Sequence, residues 1–217
     1  EKAKEKDRTY SEFPDAAVFT KLDVKEEGGN LILTANYKLG NLDKAQWTIH
    51  PDGMATLDYT YNFSGVVDLM GICFDYPEEQ VLSKRWLGAG PYRVWQNRIH
   101  GTQYDIWEND YNDPIPGETF TYPEFKGYFC SVSWMSIRTK EGTISLTNET
   151  PDSYIGVYQP RDGRDRLLYT LPESGISVLN VIPPVRNKVN STDLCGPSSQ
   201  PKWVDGSQTG RLVIRFE

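Results

Sequence analysis

Apolar and polar positions alternate with a period of two along much of this chain. Ala55, Leu57, Tyr59, Tyr61 and Phe63 alternate with Thr56, Asp58, Thr60 and Asn62. That is the arrangement of a strand with one buried face, because successive side chains point to opposite sides of a sheet. Leu31, Leu33, Ala35, Tyr37 and Leu39 repeat it, and Pro51-Asp52-Gly53 supplies turn chemistry after a strand carrying Trp47 and Ile49. Three strands in succession predict a meander. Further strand-like runs lie at 66–74, 103–107, 128–137, 143–147, 154–158, 176–181 and 211–216. Helical periodicity is confined to 77–84, where Pro77 followed by Glu78 and Glu79 predicts a turn or two. The pattern therefore predicts an all-β, largely antiparallel sandwich of about a dozen strands. It occupies 17–217 as a single domain, after a charged stretch 1–16 that reads as a linker or N-terminal extension.

Composition narrows the classes. At 217 residues the chain suits one domain with a core large enough to fold without disulfide or metal staples. Its 23 Lys+Arg against 30 Asp+Glu give a net charge of −7, the wrong sign for neutralising phosphates, so nucleic acid is not an expected partner. No apolar run approaches the roughly 20 residues that cross a bilayer, and no signal peptide opens the chain, so no membrane partner is expected. A start at Glu1 reads as a piece of something longer. The three cysteines, Cys73, Cys130 and Cys195, cannot all pair and lack Cys-x-x-Cys spacing, which disfavours zinc. Cys73 and Cys130 sit in apolar runs and read as small hydrophobes, with one disulfide as the alternative. The compartment stays open, with a periplasmic or extracellular one slightly favoured.

Candidate chemistry concentrates between Arg85 and Glu108. Gly88, Gly90 and Pro91 predict a tight backbone excursion, either at positive φ or where another chain segment approaches closely. Around it, Trp86, Tyr92, Trp95 and Trp107 offer flat faces and Arg93 and Arg98 forked donors, with His100 alongside. Such a mixture suits a sugar, whose C–H face lies on aromatic rings while its hydroxyls meet polar side chains at the pocket edge. The same residues equally suit a purely structural plug. Arg98 is expected to form one patch with Trp95 and to pair with Asp105 or Glu108. His50, opposite in parity to Trp47 and Ile49, is expected to face solvent. Catalytic carboxylate pairs would have to come from Asp105 with Glu108, Asp110 with Asp113, or Glu118 with Glu124, none of which spacing alone supports. Neither a Gly-x-Ser-x-Gly elbow nor a phosphate-cradling Gly-x-Gly-x-x-Gly at a strand-to-helix junction is present. No cofactor is expected. Three polar stretches, 109–126, 159–175 and 183–210, are long enough to read as functional loops.

Trp86-Leu87-Gly88-Ala89-Gly90-Pro91, followed by Trp95 and Asn97-Arg98, resembles a segment of the C-terminal domain of family 2 β-galactosidases. That pattern reads Trp-Leu-Gly-any-Gly-Pro, an aromatic and Asp-Arg, with a later aromatic strand and Tyr-Pro; Trp107 and Tyr122-Pro123 stand in the matching order. The resemblance departs at Arg93, where the family usually has an acid, at Asn97, where it has Asp, and at 190–197. It implies a large antiparallel super-sandwich similar to galactose mutarotase, set beside a separate catalytic domain that carries the glutamates. It therefore implies a non-catalytic domain whose partners are carbohydrate and the catalytic domain of the same parent chain. The residues themselves offer Trp86, Tyr92, Arg93, Trp95, Arg98, His100 and Trp107 as candidates for contact with carbohydrate or a neighbouring domain, with Gly88, Gly90 and Pro91 as the structural turn. The alternatives are a free-standing carbohydrate-binding module, or a mutarotase-like epimerase using His100 with Glu118 or Glu124.

Overall fold

A computed structural model of the chain describes residues 17–38, 40–110, 127–157, 175–184 and 196–217. Among them there is no α-helix, and the strands form an antiparallel sandwich. The N-terminal strands β1 (Val18–Glu27), β2 (Asn30–Lys38), β3 (Leu42–Ile49) and β4 (Met54–Asn62) make the predicted meander, extended by one strand at its start. The predicted turn closes β3 to β4: the His50 amide donates to the Met54 carbonyl at 2.8 Å, and Gly53 takes φ +84°. The run 66–74 divides into β5 (Gly65–Val67) and β6 (Met70–Phe74). Beyond it come β7 (Val81–Gly90), β8 (Gln103–Asp110), β9 (Phe129–Cys130), β10 (Trp134–Thr139), β11 (Thr143–Asn148), β12 (Tyr154–Val157) and β13 (Ile176–Val181). Last are β14 (Lys202–Val204) and β15 (Ser207–Phe216). Among the described residues, helical turns are limited to single 3₁₀ turns at Glu78–Gln80 and Pro197–Ser199. No helix of the described residues is long and apolar enough to cross a membrane.

A nine-stranded sheet runs β1-β2-β3-β4-β15-β11-β10-β7-β8, and a four-stranded sheet runs β6-β13-β12-β9 across it. Register carries one apolar row through the large sheet. Trp47 lies opposite Leu57, Leu57 opposite Leu212, Leu146 opposite both Ile214 and Met135, and Met135 opposite Trp86. The smaller sheet lowers Phe129, Ile155, Val157, Ile176 and Val178 onto that row, forming the main core. A second cluster of Val94, Tyr128, Leu179 and Ile182 lies on the far side of the small sheet. Apolar burial at roughly 25 cal/mol per Å² makes these two layers the main stabilising term.

Several expectations change. The run 128–137 is broken where Ser131, at φ +51°, turns the chain from β9 in the small sheet to β10 in the large one. The helical reading of 77–84 shrinks to one 3₁₀ turn, and from Val81 the chain is strand. The stretch 183–210, read as loop, contains β14 and the start of β15. His50 is half-buried rather than solvent-facing, its Nε2 lying 2.9 Å from the Thr56 hydroxyl. Cys73 and Cys130 are not joined; Cys130 is partly buried as expected, whereas Cys73 lies exposed on the outer side of β6. Cys195, with Asp113, Glu118, Tyr122-Pro123 and Glu124, falls outside the described residues.

Tyr59 and Tyr61, neighbours on the inner face of β4, stack at 6.1 Å, and the Tyr61 hydroxyl donates to the Asn180 side-chain oxygen. Burial pushes the ionisation of both phenols upward. An unfolded tyrosine loses its proton near pH 10 while these two keep theirs, so the unfolded state binds fewer protons above that pH. Stability is therefore fully present below about pH 10 and falls above it, by up to about 1.4 kcal/mol per pH unit for each phenol. Urea titrations at pH 9, 10 and 11 should show this decline, and Tyr59→Phe should flatten it.

Candidate functional site

The segment that carries the sugar-like composition begins as the inner lane of β7. Trp86, Gly88 and Gly90 share one parity, that of the core. Trp86 is fully buried edge-to-face on Phe129 at 4.7 Å and donates its indole N–H to the Ala89 carbonyl at 3.2 Å. The glycines that follow are needed for closeness. A Cβ on Gly88 would stand 3.0 Å from the Ser131 carbonyl oxygen and the Val132 Cα, and one on Gly90 would stand 2.6 Å from Trp107. Neither glycine is among those at positive φ, so of the two expected reasons for glycine the close approach is the one realised. The excursion predicted at Gly88, Gly90 and Pro91 is thus strand as far as Gly90, and the chain turns away only at the cis Gly90–Pro91 bond.

From Pro91 the chain leaves the large sheet and crosses to the outer side of the small one. Val94 exchanges two backbone hydrogen bonds with Tyr128, at 2.7 and 2.9 Å, and Trp95 closes a tight turn on Arg98. Arg93 is buried with its guanidinium carbon 5.5 Å from the centre of the Phe129 ring, a cation–π arrangement. Gly127, at φ +65°, passes directly under Trp95 and Arg93. Polar side chains then fasten the loop to distant parts of the chain. The Gln96 amide nitrogen donates to the Ser198 and Gln200 carbonyls at 3.0 and 2.8 Å, its backbone N–H to Pro183, and the Asn97 amide to the Ser199 hydroxyl at 2.8 Å.

This geometry sorts the seven candidates. Trp86, Arg93 and Trp95 are buried and hold the loop, and Trp107 is partly buried over Gly90 with its indole N–H on the Gln103 carbonyl at 3.1 Å. Tyr92, Arg98 and His100 are exposed, with Ile99 beside them. Trp95 and Arg98 do join through the turn, but the expected ion pair is absent: neither Asp105 nor Glu108 lies within salt-bridge reach of Arg98. The Asp105 carboxylate instead accepts the backbone N–H of Ile106, and Glu108 stands opposite Arg85. Asp105 and Glu108 are three residues apart on β8, which puts them on opposite faces of the sheet and rules them out as a cooperating acid–base pair. Among the described residues no group of three or more His, Cys, Asp or Glu side chains could hold a metal ion. Gln96 and Asn97, the two anchors, were not singled out as site residues from sequence. Their signal was slight: two amide side chains set between Trp95 and Arg98, with Asn97 standing where the resembled pattern has Asp.

Compared with models of known protein families and with curated proteins, the chain matches none.

Gly90→Val should lower stability by about 1 to 3 kcal/mol, the usual result of forcing volume into a filled contact, and a thermal melt reads it directly. Arg98→Ala should leave the melting temperature within the small range of ordinary surface substitutions, about 0.5 kcal/mol. A large drop would mean that Arg98 has a structural partner after all.

Proposed function

We propose that this chain is the non-catalytic C-terminal β-sandwich domain of a family 2 glycoside hydrolase of the β-galactosidase type. In that reading the 91–100 loop supplies part of the wall of the sugar site or of the contact with the catalytic domain. One observation carries the reading. In the segment resembling that family, the glycines and buried aromatics build a pinned loop, and what the loop turns outward is an aromatic ring, a guanidinium and an imidazole on Tyr92, Arg98 and His100. A sugar hydroxyl array or a carboxylate of a neighbouring domain is the natural complement of such a set. Holding it on a fastened loop removes part of the ordering entropy that binding would otherwise cost.

The test compares this chain, its parent protein and the parent lacking this domain on aryl β-galactoside, β-glucoside and β-glucuronide substrates. The isolated chain should show no turnover. Removal from the parent should cost activity on the order of a hundredfold through lost positioning, and Arg98→Ala in the parent should lower kcat/KM without lowering the melting temperature. Turnover by the isolated chain that disappears on Glu108→Gln would overturn the proposal.

A further inference from the structure

Strand β1 is the outermost strand of the nine-stranded sheet, and every one of its residues is exposed. It pairs regularly with β2 from Lys21 to Glu27, after a bulge at its start. Along this regular run the residues facing away from the core are Lys21, Asp23, Lys25 and Glu27, charges that alternate in sign. Within the strand they already pair in twos, Lys21 with Asp23 and Lys25 with Glu27. The core-facing side carries Leu22 and Val24, exposed to 49% and 58%, with Leu33 of β2 directly beside Val24. Among the described residues no strand lies beyond this edge, so its outward backbone N–H and C=O groups form an open template for another strand.

We propose that the occupant of this edge is a second copy of the same chain, joined antiparallel about a two-fold axis at Val24. The charge order selects that partner and that register. Centred on Val24, the pairing sets Lys21 against Glu27 and Asp23 against Lys25 of the second copy, and the same contacts recur by symmetry, so all four outward pairs are of opposite sign. On the other side Val24 meets its own copy, Leu22 faces Glu26, and the Leu33 and Val24 side chains of both copies run on as one apolar stripe. Directly opposed unlike charges and β-branched pairs are favourable on a sheet, and like charges are not. Sliding the copies by one pair in one direction would oppose Lys21 to Lys25 and Asp23 to Asp23; sliding the other way would oppose Asp23 to Glu27 and Lys25 to Lys25. Lysine-studded edges generally keep sheets apart by repulsion. An edge with strictly alternating signs repels every neighbouring register and accepts this one. The closed two-fold arrangement uses the same patch on both copies, so it ends at a dimer.

Sedimentation equilibrium of the 217-residue chain at low salt tests this. The chain should associate to a dimer, weakening as salt screens the exposed pairs. Asp23→Lys converts two symmetry-related attractions into repulsions and should weaken association by at least about tenfold, a loss of about 1.4 kcal/mol. The combined Asp23→Lys and Lys25→Asp exchange restores opposite signs at every pair and should restore the dimer. Near-ultraviolet circular dichroism should report an unchanged fold in both variants, since the substituted residues are exposed. A chain that stays monomeric, a dimer indifferent to Asp23→Lys, or a double exchange that fails to recover association would each overturn the proposal.

Discussion

The structure depends on one close approach, where the backbone of 130–132 passes over Gly88. At this place the chain leaves the four-stranded sheet and enters the nine-stranded one, and the two layers meet backbone to backbone instead of through interleaved side chains. Face-to-face sheets normally stand about 10 Å apart. Bringing them together at a corner requires a strand with no side chain on its inner face, and the alternation of β7 provides it: a tryptophan, then glycine, then glycine, all on one parity. Trp86 fills the depth where the layers are still apart, Gly88 lets them touch, and Gly90 leaves room for the indole of Trp107. The Ser133 amide then bonds the Leu87 carbonyl at 2.9 Å and locks the crossing. Phe129, Arg93 and the 91–98 loop all take their positions from that corner.

How much of this was legible in the sequence follows from which surfaces each strand touches. β4 was read nearly to its ends because one face is core and the other is polar, the case in which side-chain alternation reports burial directly. β7 was missed although it is ten residues long. Its inner lane contains two glycines, and the buried Lys84 shares that parity, so its hydrophobic pattern is broken where the structure is densest. β1 was missed for the opposite reason: it is exposed throughout, and its charge density resembles that of the stretch before it. Breaks within runs, as at Ser131, were invisible because the residues on both sides keep strand character and only the sheet changes.

The site divides in the same way. The candidate residues stood out because tryptophans, arginines and a Gly-x-Gly-Pro run lie so close together in the sequence. Their orientation did not. Whether an arginine in such a cluster is buried or offered to solvent depends here on partners far along the chain. Arg93 goes under because Phe129 and Gly127 come from beyond the next strand, and Arg98 stays out because Gln96 and Asn97 are held by residues about a hundred positions away. Local sequence carries no record of contacts of that span, which are set only when the sheets assemble.

The position of β15 bears on how the molecule comes into being. It follows every other strand of the described residues, yet it lies in the middle of the large sheet, bonded to β4 on one side and β11 on the other. During synthesis, the meander β1–β4 can form early by local pairing, and β7, β8, β10 and β11 can pair later, but the two halves of the large sheet have no strand between them until β15 arrives. At a synthesis rate on the order of 5 to 20 residues per second, β15 follows β11 by roughly 3 to 12 seconds, and over that interval each half carries an apolar face with no strand to join it to the other. The large sheet can become continuous only once β15 pairs with both β4 and β11.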